Sequence, residues 1–174
     1  MSTATRSLTL EDVAGVLALS ADAPDTSEIY ARVDQLVRDT VGYKLLTVLK
    51  FVEETQEVER IYSSNPKTYP VGGRKRLAAI KRDHSFAGGQ IFLAADADAV
   101  KRTYPDYELI LGLGASAILN APIRHAGRRL GTLNCCGVAN TYGTKEIEAA
   151  KVLANLLAPT LLAAKLNRPA PHTD

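Results

Sequence analysis

A chain of 174 residues, 46% hydrophobic and 23% charged, has the make-up of one globular domain large enough to bury its own core. A formal charge of +2, with no basic run interleaved with aromatics, argues against nucleic acid as a partner. No apolar stretch is expected to reach membrane-spanning length, and MSTATRSLTLEDV meets acidic residues where a signal peptide has its apolar segment, so a cytoplasmic location is expected.

Taken in order, Thr9 is placed to cap a short helix, with Asp12 three residues on and Leu10, Val13 and Leu17 on one face. Pro24 interrupts, and a second helix starts near Thr26 or Ser27. Its stripe is Ile29, Val33, Leu36, Val37 and Thr40 or Val41, and Gly42 stands where a C-terminal cap belongs. Tyr43 to Phe51 and Val58 to Ser64 read as two strands joined by a polar loop. The prolines and glycines of Asn65 to Gly73 mark an irregular loop, and Arg74 to Asp83 reads as a short basic helix with Leu77 and Ile80 inward. Gln90 to Ala94 is a short strand, Asp96 or Asp98 caps a turn of helix, and Pro105 fits the first position of another running to Leu111.

Ala115 to Val138 holds two apolar-rich runs flanking Ala126-Gly127, the pattern of a β-hairpin. Alanine before the glycine disfavours a two-residue turn, because both central residues of the type I′ turn need φ > 0. A three-residue loop of His125, Ala126 and Gly127 is expected instead, with Gly127 closing a bulge and Arg124 opposite Arg128. The period of two then sends Leu119, Ala121, Ile123, Leu133 and Cys135 to one face. Ser116, Ile118, Asn120, Thr132, Asn134 and Cys136 take the other, a mix that suits a pocket floor and equally a solvated strand face. Thr144 caps a long final helix that Pro159 should kink. Strands clustered between helices give an α+β domain, an antiparallel sheet with the helices at about 27–41 and 144–165 on one face.

The run Leu111-Gly112, Ser116, Pro122-Ile123, Gly127 and Leu130-Gly131, followed by a strand and an amphipathic helix, resembles the C-terminal half of a GAF domain. The likeness covers about residues 26 to 166, leaving residues 1–25 as a helical extension and 167–174 as a frayed tail. It implies a terminal-helix layer on one face of the sheet and an irregular helical lid over a ligand cavity on the other. It also implies a homodimer paired through terminal helices, as such domains often are.

Candidate pocket residues are Tyr62, Ser64, Phe92, Tyr107, Ser116, Asn120 and Asn134, with Arg74 set to hold an anionic ligand. Two unpartnered amides, Asn120 and Asn134, are expected to offer donors and acceptors to the ligand. Asp83 and His84 look catalytic but adjoin in sequence, whereas catalytic groups usually converge from separate elements. Cys135 and Cys136 point to opposite faces, so they neither bond each other nor share a metal, and buried thiols are expected. His125 lies in the hairpin and His172 in the tail, so no metal site and no cofactor are expected.

Three functions fit: binding and sensing of a small metabolite, without nucleic acid or membrane; a hydrolase or isomerase using Asp83, His84 or Cys136; and a dimerising adaptor with a vestigial pocket. The resemblance extends to free methionine-(R)-sulfoxide reductases, but their cysteines come from the irregular middle segment, where this chain has none.

Overall fold

The computed structural model describes residues 5–23, 25–77 and 89–166. Helices α1 (Leu10–Asp22) and α2 (Thr26–Thr40) lead into strands β1 (Leu45–Val52), β2 (Glu57–Ser63), β3 (Arg74–Arg76) and β4 (Phe92–Ala94). Short helices α3 (Ala97–Thr103) and α4 (Tyr107–Gly112) follow, then the hairpin β5 (Ala117–His125) and β6 (Arg128–Gly137), then α5 (Thr144–Leu156) and α6 (Ala158–Leu166). The six strands form one antiparallel sheet in the order β3-β2-β1-β6-β5-β4.

Local chemistry sets the helix ends. The Thr9 hydroxyl accepts from the Asp12 N–H and the Asp12 carboxylate accepts from the Thr9 N–H, a reciprocal cap that satisfies two free donors. Gly42, at φ 78°, closes α2 by donating its N–H to the Val37 carbonyl. Thr144 is the first residue of α5 rather than its cap; the Glu146 carboxylate accepts from the Gly143 N–H instead. The final helix breaks at Leu157, and Pro159 falls in the first turn of α6, where its missing N–H costs no helical bond.

The two sheet faces are packed differently. On one, Leu119, Ala121, Ile123, Leu133 and Cys135 meet Leu36 and Val37 of α2, Leu153 of α5 and Leu161 of α6 in the main core. Val16 of α1 is fully buried there too, so the first helix shares this core. Its expected apolar face is corrected: Val13, Val16 and Leu19 turn inward, whereas Leu10 and Leu17 are 88% and 50% exposed. On the other face, Leu45, Ile118 and Cys136 meet Val100 of α3 and Ile110 of α4 in a smaller cluster.

From Thr144 to Ala164 the chain is long and apolar enough to cross a membrane by length and composition, at a mean hydropathy of 1.4. This corrects the sequence expectation. Half of that window is buried in the fold, as the helix of a domain core also is.

Candidate functional site

The site begins with the hairpin. Ala126 takes φ 46° and Gly127 φ 75°, so the connection is the two-residue turn that alanine disfavours, with His125 opposite Arg128. Alone, that turn would place Asn120 and Asn134 on opposite faces. A bulge restores the parity: Arg124 pairs with Arg129 but Ile123 pairs with Gly131, so Leu130 is an extra residue on β6. Asn120 and Asn134 therefore stand directly opposite each other.

A cavity of about 120 Å³ lies between this face and the α3–α4 segment. Asn120, Asn134 and Thr47 line its floor, with Leu45 and Ile118 beside them and Tyr104 and Ile110 opposite. The floor is one hydrogen-bonded chain. The Tyr104 hydroxyl donates to Asn120 Oδ1, Asn120 Nδ2 donates to Asn134 Oδ1, and Asn134 Nδ2 donates to Thr47 Oγ1 at 3.3 Å. The expectation of two unpartnered amides is corrected, because each already holds the other. Each Nδ2 has two N–H bonds and uses one within this chain, so each amide of this cavity floor keeps donor capacity.

The other end carries charge. A second bulge, on β2, brings it there: Val48 pairs with Tyr62 and Leu49 with Arg60, so Ile61 is the extra residue. Ile61 and Tyr62 both pack on the main core, and Arg60 turns to the cavity. Its guanidinium lies 4.9 Å from the Tyr69 ring centroid, and Nη1 donates to the Pro70 carbonyl at 2.9 Å. Gly73 leaves room for it, since a Cβ there would sit 2.9 Å from Arg60 Nη1. Burial pulls the Arg60 pKa below its ordinary value, with Tyr69 and Asp106 opposing. Asp106 stands before α4 but does not cap it; its Oδ2 accepts from the Tyr69 hydroxyl and from Lys75, each at 3.3 Å. Arg60 Nε and Asp106 Oδ1 are buried without a hydrogen-bond partner among the described residues.

The GAF domain family model matches residues 25–161. The chain belongs to the GAF domain family. Among solved structures it is similar to the GAF domain of a two-component sensor histidine kinase from Bacillus halodurans, at TM-score 0.69 and 14% identity, covering 83% of this chain and 98% of that one. It is also similar to the GAF domain of an Acinetobacter phosphoenolpyruvate-protein phosphotransferase, at TM-score 0.74 and 11% identity over 92% and 96% of the two chains. A free methionine-R-sulfoxide reductase from Neisseria meningitidis, in complex with its substrate, aligns at TM-score 0.68 and 13% identity over 97% and 100%. At these identities the likeness is one of fold. No curated protein matches the chain.

Of the residues read from the sequence, the GAF cavity takes Asn120, Asn134 and Cys136. Tyr62 lies on the helix side, where its hydroxyl donates to Asp34 and its ring stacks on Tyr30. Ser64 Oγ accepts from the Leu46 N–H at 2.9 Å, and Ser116 Oγ from the Ala139 N–H at 2.8 Å, so both are engaged by backbone. Phe92 backs the site by packing edge-on against Tyr104. Tyr107 packs its ring in the lid cluster and points its hydroxyl at Glu108. Arg74 is corrected from helix to edge strand: β3 pairs with β2, and Arg74 bonds Glu59 at 2.7 Å on the exposed side.

Asp83 and His84 lie outside the described residues. Cys136 reaches the cavity, but burial pushes its thiol up to about 12, which leaves almost no thiolate at neutral pH. Among the described residues no three His, Cys, Asp or Glu side chains gather to hold a metal ion. Reading the sequence missed Arg60, Tyr69 and Asp106. Arg60 shares the period-two face of Tyr62, which was the available signal, and only the bulge separates them.

Proposed function

We propose that this GAF domain binds a small metabolite between the sheet and the α3–α4 lid and acts as a sensor for it. The observation that carries the reading is the cavity floor: a chain of four polar side chains from β1, β5, β6 and the residue after α3, set among apolar walls. A few fixed polar groups in an apolar concavity give orientation and specificity to a bound molecule. Tyr104 belongs to the lid and Asn120 to the sheet, so a ligand inserted at their contact has differential affinity for lid positions, as a population shift requires.

Native mass spectrometry of the full chain, followed by calorimetry with whatever co-purifies, tests the reading. Binding that weakens in Asn120→Leu supports it; binding indifferent to both Asn120→Leu and Tyr104→Phe places the site elsewhere. The same reading takes a homodimer as the working unit. A monomer by light scattering at micromolar concentration counts against that part.

A further inference from the structure

We propose that the occupant of this cavity is a small carboxylate bearing a neighbouring amino or hydroxyl group, its carboxylate taken by Arg60 and its donor by Asp106. This rests on the cavity-binding reading above and names the ligand class for that site.

Two buried side-chain atoms of opposite hydrogen-bonding sense, neither with a hydrogen-bond partner among the described residues, belong to residues that line the same cavity: the Arg60 Nε–H donor and the Asp106 Oδ1 acceptor. Among the described residues Arg60 makes no ion pair, although Arg74 and Lys50, on the neighbouring strands, both reach Glu59. The Nε–H and an Nη–H of a guanidinium present the two parallel donors that match a carboxylate. Asp106 occupies a position where aspartate normally caps a helix, yet its carboxylate is turned away from the helix N–H groups. A buried acceptor without a partner calls for a donor, and the amino or hydroxyl group of a ligand in this cavity would supply one.

Tyr69 ties the two groups together, carrying Arg60 over its ring and donating its hydroxyl to Asp106 Oδ2. Among the described lining residues, Arg60 and Lys75 against Asp106 give one excess positive charge, which favours a carboxylate over an amine alone. The size is also restrictive. About 120 Å³ is close to the ~150 Å³ of a cavity that takes benzene and well below the ~300–1,000 Å³ of drug-sized pockets.

Calorimetry on the full chain with L-alanine, L-valine, L-lactate, propionate and isopropylamine as probes tests the inference. Saturable binding is expected for at least one of the first three, with propionate and isopropylamine at least about ten-fold weaker. Arg60→Lys keeps the charge but removes the paired donors, and should cost about ten-fold or more for every carboxylate that binds. Asp106→Asn should bring the amino or hydroxy acid to the level of propionate. In the wild-type chain, the Arg60 Nε–H resonance should shift on adding the tightest probe, a readout that survives if a variant does not fold.

Equal affinity for propionate and for the tightest of the first three probes, or an unmoved Nε–H resonance at saturation, overturns the inference. So does a neutral molecule that binds in an Asn120-dependent way while all five probes fail; the cavity reading then still stands. Failure of all probes together with nothing co-purifying by native mass spectrometry overturns both.

Discussion

Asn120 and Asn134 face each other across β5 and β6, and the Asn120 amide donates to the Asn134 carbonyl while its own carbonyl accepts from Tyr104. Both amides are buried, so each is a structural partner before it is a ligand contact. Asn120→Leu removes the acceptor of the Tyr104 hydroxyl bond and the donor to Asn134 Oδ1, and Asn134→Leu removes the acceptor of Asn120 Nδ2. Each single change should lower stability by about 1–3 kcal/mol, the cost of a buried polar group left unpaired. The double variant should lose less than the sum, because the second change removes a group already orphaned by the first. Urea denaturation of the three variants checks this. Additive losses would show that the two amides do not act as a pair.

A turn and a bulge account for what was legible in this sequence and what was not. The two faces of β5 and β6 follow from period-two patterning, and they came out as read because the two-residue turn and the Leu130 bulge shift the register by compensating steps. On β2 the single bulge at Ile61 has no compensating partner, so Tyr62 left the face shared with Arg60 and the cationic end of the site was hidden. β3 was unreadable for a different reason. Arg74, Lys75 and Arg76 have no apolar alternation, and the strand exists only because β2 offers its edge and Glu57 and Glu59 neutralise it. Pro105 suggests a helix that would enclose Asp106, but the helix starts at Tyr107, and the Asp106 carboxylate makes no cap bond to it.

The hairpin turn itself gives a prediction. Ala126 sits at φ 46°, in the left-handed region that costs a residue with a Cβ roughly 1–2 kcal/mol. Asn-Gly is the favoured pair for such a turn. Ala126→Asn should therefore stabilise the fold by up to about 1 kcal/mol, or about 2–4 °C in Tm for a chain of this size. Differential scanning calorimetry measures it. An unchanged or lower Tm would mean that the turn is not strained at Ala126.

The cysteines should be inert in the folded protein. Cys135 is fully buried among the helix-facing residues and Cys136 is 8% exposed at the cavity, and burial raises both thiols above their ordinary value. Neither should react appreciably with iodoacetamide at neutral pH until the chain unfolds. Mass spectrometry after timed alkylation checks this, and Cys136→Ser should bind any cavity ligand within about three-fold of wild type, less than 1 kcal/mol. If Cys136→Ser instead abolished a measured turnover, catalysis at Cys136 would replace sensing as the reading of the site.

The acid limb of stability should report on the first helix. Asp12 is buried and holds Arg6 at 2.6 Å while accepting from the Thr9 N–H at 3.1 Å. The Arg6 hydrogen bond, against the opposing cost of burial, holds its carboxyl well below the usual carboxylate range. The unfolded chain, with an ordinary value near ~3.9, therefore takes up this proton first as the pH falls. The contribution of Asp12 to stability is whole above about pH 4 and is lost progressively below it. Asp12→Asn should lower stability at neutral pH, and its stability should fall less steeply than wild type between about pH 4 and pH 2. Arg6→Ala should flatten the same limb while sparing the Thr9 cap, whereas Thr9→Ala should cost about 1 kcal/mol at neutral pH. Urea midpoints for the four proteins across this range decide it. Parallel acid limbs in wild type and Asp12→Asn would remove Asp12 from the account and leave the anchoring of α1 to the apolar contact of Val16.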